Sequence, residues 1–283
     1  MASGNKNIDH ARHDPALGLI SIFRPICRGR RPAGLQYKHE HEGCEIRINV
    51  WRALDTRDQS VLLAAIGMAG IENLPLGSDA PGEVGKQLWT DLKPEETAEA
   101  DKAVVVTTTR YALLQAAGIH DRGASYGLLE DCLERLSMVG YRAKQNGNDW
   151  SMHLLSYAKR EDGRIHIALN SRIARSIAGH NVRISLQERR DLGNEAAKIA
   201  HAWICAWLKG GKTNSIRLDK LAEKVWGNDP VRSSTISSRR ERISEALAEV
   251  DTLNGWDVTL QGRGQNAKAA IKRPATRILD RGQ

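Results

Sequence analysis

At 283 residues the chain is long enough for about two domains, each with its own core. Its 42 Lys and Arg against 34 Asp and Glu give a formal charge of +8 and favour an anionic partner. The longest apolar stretch, Val61 to Ile71, is too short to cross a bilayer, no secretory signal is readable, and Cys27, Cys44, Cys132 and Cys205 are scattered without a C-x-x-C pair; membrane-spanning and disulfide-stapled classes are excluded, and a cytoplasmic chain with reduced thiols is expected.

Residues 1 to 34 are polar and rich in Arg, Gly and Pro, including Arg28-Gly29-Arg30-Arg31-Pro32, and read as a basic arm with at most one short helix between Pro15 and Ile26. Gln36 to Val50 alternates as a hairpin turning near Glu42-Gly43. Asp55 to Gly70 is a helix, capped by Asp55 or Thr56, with Val61, Leu62, Ala65, Ile66 and Ala69 at helical spacing. An acidic, Pro- and Gly-punctuated connection over 72–102 leads to a strand at Val104-Val105-Val106 and a helix from Thr109 to Ala117, stopped by Gly118. A second helix, Ala124 to Val139, runs into Gly140-Tyr141 and a hairpin around Asn146-Gly147-Asn148-Asp149. A strand from Arg164 to Leu169 and a short helix from Ser171 to Ala178, ending at Gly179, close this part.

A strand from Val182 to Leu186 and a helix from Asn194 to Leu208 follow, and the helix's stripe of Ala196, Ile199, Ala200, Trp203, Ile204 and Trp207 reads as core rather than as a base-stacking platform. Then the earlier order recurs: a strand at Ser215-Ile216-Arg217, a helix from Asp219 to Trp226 stopped by Gly227, a longer helix from Ser234 to Val250, Gly255-Trp256, and a hairpin around Gly262-Arg263-Gly264-Gln265-Asn266. One pattern written twice, about 110 residues apart, predicts an α+β fold of two tandem winged-helix domains in pseudo-repeat. The expected division is an N-terminal arm and hairpin over 1–50, a first winged helix over 51–179 and a second over 180–283.

Basic and acidic residues number 8 and 14 over 51–139 but 14 and 9 over 210–283. The second unit is therefore the one suited to duplex DNA, whose affinity for proteins comes mostly from phosphate neutralisation. On its long helix, Ile236, Ile243, Leu247 and Val250 form one stripe, while Ser234, Ser237, Ser238, Glu241 and Arg242 face away. Small hydroxyls let a helix approach a groove closely, and Arg242 and Glu241 can read guanine and cytosine. Arg239 and Arg240 are expected to reach sideways to phosphates, and Arg232, Ser233, Ser234 and Thr235 to hold one at the helix N-terminus. Lys212, Arg263, Lys268, Lys272 and Arg273 would touch the backbone from the wing and its base. In the first unit the stripe is Leu129, Cys132, Leu133 and Leu136. The opposite face, Ala124, Leu128, Asp131 and Arg135, reads bases poorly and suits self-association or a weak backbone contact.

Two motifs invite enzymatic readings and fail on context. Ala206 to Thr213 fits a permissive phosphate-loop pattern, but here a helix ends at Gly210-Gly211 and a strand follows, the reverse of what such a loop needs. His39-Glu40-His41 in a polar turn near Cys44 lacks the spacing and fourth ligand of a closed metal site. No nucleophile-base-acid constellation emerges, so no catalysis, cofactor or metal is expected.

Five segments then match a known pattern in order: Arg12-His13-Asp14-Pro15-Ala16 with Phe23-Arg24 and Arg28-Gly29; Asp131-Cys132-Leu133-Glu134-Arg135-Leu136; Asp162-Gly163-Arg164 leading to Ala168-Leu169-Asn170; Val182-Arg183-Ile184-Ser185; and Arg239-Arg240-x-Arg242 leading to Glu245-Ala246-Leu247 and Gly255-Trp256. Through them the chain resembles, along essentially its full length, the RepC replication initiator family of IncQ-type broad-host-range plasmids. The resemblance implies an initiator without nuclease or ATPase activity that binds directly repeated iterons in double-stranded origin DNA, mainly through its C-terminal winged helix. It would open adjacent A·T-rich DNA for a plasmid-encoded helicase and primase. The resemblance carries the DNA-reading role onto Ser234, Ser237, Ser238, Arg239, Arg240 and Arg242. The alternative is a dimeric winged-helix repressor on an inverted repeat.

Overall fold

The computed structural model describes residues 8–26, 31–71 and 74–275. The expected arm does not extend into solvent where it is described. His10–His13 forms β1 and Pro15–Leu19 forms α1, with Asp14 accepting from the Ala16 and Leu17 amides as N-cap. Ala11, Ala16, Leu17, Ile22 and Phe23 are buried, so the short apolar residues between the arm's polar ones are core residues. Arg28-Gly29-Arg30 and Cys27 lie outside the described residues.

The predicted hairpin is β2 (Ala33–His41) and β3 (Cys44–Arg52), turning at Glu42 and Gly43, both at positive φ. Next comes α2 (Thr56–Ala69), where Asp55 accepts from Arg57 and Asp58 amides and Asp58 returns the bond to the Asp55 amide, a capping box. Nearly every residue of α2 is buried, which makes it the central post of the N-terminal half. The loosely readable connection contains β4 (Leu74–Leu76), α3 (Gly82–Asp91) and β5 (Glu95–Glu96), and leads to β6 (Ala103–Thr109), α4 (Arg110–Ala116) and α5 (Ser125–Ser137). Then follow β7 (Val139–Gln145), β8 (Asn148–His153), β9 (Leu155–Lys159), β10 (Arg164–Leu169) and α6 (Ser171–Ala178).

Two sheets meet in this half, ordered β2-β3-β7-β8-β5 and β4-β6-β10-β9. They join at Leu154, between β8 and β9: its amide donates to Val139 of one sheet and its carbonyl accepts from Asn170 at the end of the other. The remaining elements are β11 (Val182–Ser185), α7 (Leu186–Asp191), α8 (Glu195–Trp207), β12 (Thr213–Arg217), α9 (Leu218–Trp226), α10 (Ser233–Asp251), β13 (Asp257–Gln261) and β14 (Lys268–Lys272), the last hairpin closing with β12 in the order β12-β14-β13.

The two halves repeat the order helix, strand, helix, helix, hairpin, but not the pairing. β12 joins its own hairpin through β14, whereas β6 pairs with β4 and β10, and the hairpin β7-β8 takes β3 and β5 as neighbours. β4 and β10 occupy the two edges of β6, β9 adds outside β10, and β3 occupies the hairpin edge.

No break in the core marks residue 179. β1 pairs antiparallel with β11, the Trp203 indole on α8 donates to the Leu19 carbonyl at 3.2 Å, and buried Arg189 on α7 donates to Lys198 and Ser60 on α8 and α2. One cluster of buried side chains runs from Ala11 through Leu62 and Ile184 to Ile271. Among the described residues no helix is long and apolar enough to cross a membrane.

Candidate nucleic-acid interface

The apolar stripe of α10 divides the helix lengthwise. Ile243, Ala246, Leu247 and Val250 are buried, but Ile236 is 40% exposed, contrary to its expected place in the core. Burial along α10 begins only at Ile243, so Ser233 to Arg242 form an exposed overhang that Arg239 and Arg240 tie back to α9 and the turn after it. Ser234, Ser237, Ser238, Glu241 and Arg242 are all exposed on this overhang. Arg232 is the N-cap residue and forms no side-chain cap. The first-turn amides therefore keep the partial positive charge that draws an anion to a helix N-terminus. Ile236 instead lines a shallow groove with Arg217, Lys220, Pro230, Val231 and Arg239.

Three expected phosphate ligands prove to have structural partners. Arg240 makes a two-pronged ion pair with Asp219 of α9, both bonds at 2.9 Å, which locks α10 against α9. Half-buried Arg239 donates to the Gly227 carbonyl at 3.4 Å, just past the C-terminus of α9, where a cation suits the helix dipole. Arg273 is 8% exposed and donates to the carbonyls of Cys205, Leu208 and Arg183. It closes the C-terminal end of α8 and takes no part in the surface. Among the described residues the other expected basic ligands make no side-chain hydrogen bond or ion pair: Arg232, Arg242, Arg263, Lys212, Lys268 and Lys272 are exposed, as is Ser233, with Thr235 half-buried.

Strand register places the charge of the β13-β14 hairpin, the expected wing. Opposed residues of an antiparallel pair share a face, and Lys268 stands between Arg217 and Gln261 while Lys272 stands between Thr213 and Asp257. Ala269 and Ile271 point inward and are buried, so Lys268 and Lys272 occupy the solvent face. Lys268 lies at the wing tip with Arg217, whose guanidinium donates to the Gln265 carbonyl at 3.2 Å, whereas Lys272 lies at the base beside Lys212. Arg217 was missed in the sequence because it ends a strand outside the hairpin; its alternation with inward Ile216 was the available signal. The tip turns at Gly262, φ +75°, where an added Cβ would sit 2.7 Å from the Asn266 carbonyl oxygen. Only glycine fits there.

The corresponding helix of the first unit differs. Leu129, Cys132, Leu133 and Leu136 of α5 are buried as expected, but Leu128 packs partly against the core. Arg135 is not on a free face: its guanidinium contacts Asp58 of α2 at 2.9 Å. Exposed Asp131 and Glu134, with Glu130 paired to Lys159 and Arg110, leave α5 an acidic outer surface. It is poorly suited to a phosphate backbone.

The two tempting motifs resolve simply. α8 ends at Trp207, Gly211 turns at φ +75°, and β12 follows, so residues 206–213 join a helix to a strand; the helix stops two residues before the Gly-Gly pair expected to cap it. His39 and His41 sit on β2 rather than in a turn, with rings stacked 6.2 Å apart. Among the described residues no group of three or more His, Cys, Asp or Glu is placed to hold a metal. Trp203 is buried and stacks on Trp207 at 5.5 Å, as a core pair.

Comparison with known proteins adds two findings. The family model described as Replication protein C (RepC) matches residues 5–275. Crystal structures of domains 2 and 3 of RctB have a similar fold: one superposes with a TM-score of 0.54 at 9% identity, covering 91% of this chain and 95% of that one. A selenomethionine form gives 0.51 at 11% identity, covering 89% and 95%. A search of curated protein sequences finds no match.

Proposed function

Because this chain belongs to the replication protein C family, we propose that it is a plasmid replication initiator that reads directly repeated iterons at its origin with the C-terminal unit, working as a winged helix. The overhanging start of α10 carries this reading: Ser234, Ser237, Ser238 and Arg242 stand exposed at an uncapped helix N-terminus, next to a wing bearing Arg263, Lys268 and Arg217. Small hydroxyls and an exposed guanidinium suit the major groove, and the wing cations suit the flanking phosphates. The N-terminal unit, acidic on α5, is assigned to protein contacts, including self-association. Opening of adjacent A·T-rich DNA and loading of a plasmid-encoded helicase and primase complete the proposed role.

The role requires no turnover by the chain itself. ATP hydrolysis by the wild type that disappears in Lys212→Ala would contradict that part. Footprinting on two adjacent repeats tests the rest. One protein per repeat, all in the same orientation, supports the initiator reading; a two-fold symmetric footprint on an inverted repeat favours a repressor.

A further inference from the structure

We infer that the solvent face of the β2-β3-β7-β8 sheet is a platform for single-stranded DNA, a role that rests on the proposed opening of the origin. One face of this sheet is core, through Ile46, Ile48, Val50 and Tyr141. The other carries Gln36, Lys38, Arg47, Asn49, Trp51 and Arg142, all exposed. Trp51 is 44% exposed, and burying its ring would have contributed more to stability than almost any other side chain. The register leaves the ring uncovered: between the Ala33–Arg52 and Leu35–Val50 pairs, Trp51 stands opposite Gly34, which has no side chain and open space around it. Beyond the Val50–Val139 pair lies Met138, 45% exposed, and the Arg52 guanidinium rests 4.3 Å from the Trp51 ring centroid.

The rows behind Trp51 continue the pattern. The first is Gln36, Asn49, Gly140 and His153, amides and imidazole able to bond base edges. The second is Lys38, Arg47, Arg142 and Ser151. Arg47 and Arg142 are balanced by Glu45 and Glu95, while Lys38 and Arg52 have no carboxylate partner among the described residues. The second row ends on Glu95 of β5, opposite Ser151, and the third carries Glu40, Glu45, Lys144 and Asp149 toward the hairpin tips. An open aromatic ring with an arginine on it, hydrogen-bonding side chains and unpaired cations is the chemistry of an unpaired nucleotide strand, since a base can stack on the ring only when its own partner strand is gone. A protein partner fits less well, because Trp51 and Met138 alone provide little of the roughly 1,200–2,000 Å² that a stable interface buries.

The full chain would be titrated into fluorescein-labelled oligo(dT) and, in parallel, labelled duplex repeat. Trp51→Ala should weaken oligo(dT) binding about tenfold or more, as loss of one stacked base does, and leave the duplex affinity unchanged; Trp51→Phe should keep most of it. A bromodeoxyuridine oligonucleotide cross-linked to the wild type should map to the peptide holding Trp51 or Met138, a readout that stands even where Trp51→Ala does not fold. Unchanged oligo(dT) affinity in Trp51→Ala, a cross-link on α10 or the wing, or a dimer made monomeric with oligo(dT) affinity intact would each overturn the inference. Wild type that binds duplex repeats but no oligo(dT) removes this platform and leaves the proposed function standing. Oligo(dT) binding through Trp51 without repeat discrimination does the reverse.

Discussion

Arg273 and Arg242 carry the same charge and do opposite work. Arg273 is buried on three carbonyls, so Arg273→Ala should cost several kcal/mol, at about 1–3 for each carbonyl left unsatisfied, seen as a lower urea midpoint, while the molecules that fold bind DNA normally. Arg242 is exposed on the overhang, and Arg242→Ala should cost about 1–3 kcal/mol on the correct repeat and relax sequence preference; uniform weakening on all sequences would move it to the backbone contacts. The available signal was strand alternation: Arg273 continues the inward parity of Ala269 and Ile271, whereas Lys268 and Lys272 take the outward one. Two buried histidines contribute to the pH response in opposite directions. Burial lowers His13 from 6.5 to about 4, so the unfolded chain binds a proton there that the fold refuses, and stability is lost as pH falls from 6.5 toward 4. Burial also opposes charge on His201, but Cys205 and the Glu188 carboxylate at 2.7 Å outweigh it and raise the pKa to about 9. That contribution is complete below 6.5 and is lost as pH rises toward 9. Thermal melts across this range should show the acid-side loss reduced in His13→Gln and the alkaline-side loss reduced in Glu188→Gln; parallel curves for wild type and variants would contradict the assignment.

Among the elements, α10 and its wing divide their basic residues between holding the unit together and facing outward. Arg240 pins α10 to α9 through Asp219, so Arg240→Ala should loosen the pair by about 1 kcal/mol without altering the salt dependence of duplex binding. Lys268, on the outer face of the wing tip, should instead lower the slope of log affinity against log salt by about one when changed to Ala. Equal slopes for the two variants would return Arg240 to the phosphate ligands. These helices and hairpins were readable because their apolar stripes, Gly stops and Asn-Gly turn are local signals. Ile236 was misread for a physical reason: periodicity places a residue on a face but does not say how fully that face is covered, and Ile236 lines an open groove beside α9. β4, α3 and β5 escaped because each is short and is held by partners distant in sequence, β6, β9 and β8.

Across the whole molecule, the N-terminal segment is the largest departure from what the sequence implied. Its Arg, Gly and Pro content resembles an arm, yet β1 pairs with β11, some 170 residues away, and α1 packs on α8. Arg24 reaches Tyr37 on β2 and Asp229 in the α9–α10 turn, tying both halves together. With one contiguous cluster of buried side chains, the chain should unfold in a single urea transition by tryptophan fluorescence and circular dichroism alike, and two separated transitions would support a division at residue 179. At this scale the proposed function comes down to whether the exposed start of α10 and its wing read a specific duplex. Fluorescence anisotropy across a salt series, with the direct repeats nearest this gene and the same repeats scrambled, tests it most directly. Tight binding to the repeats alone, reduced toward the scrambled level in Arg242→Ala, is the predicted result; equal, salt-sensitive binding to both duplexes would contradict it.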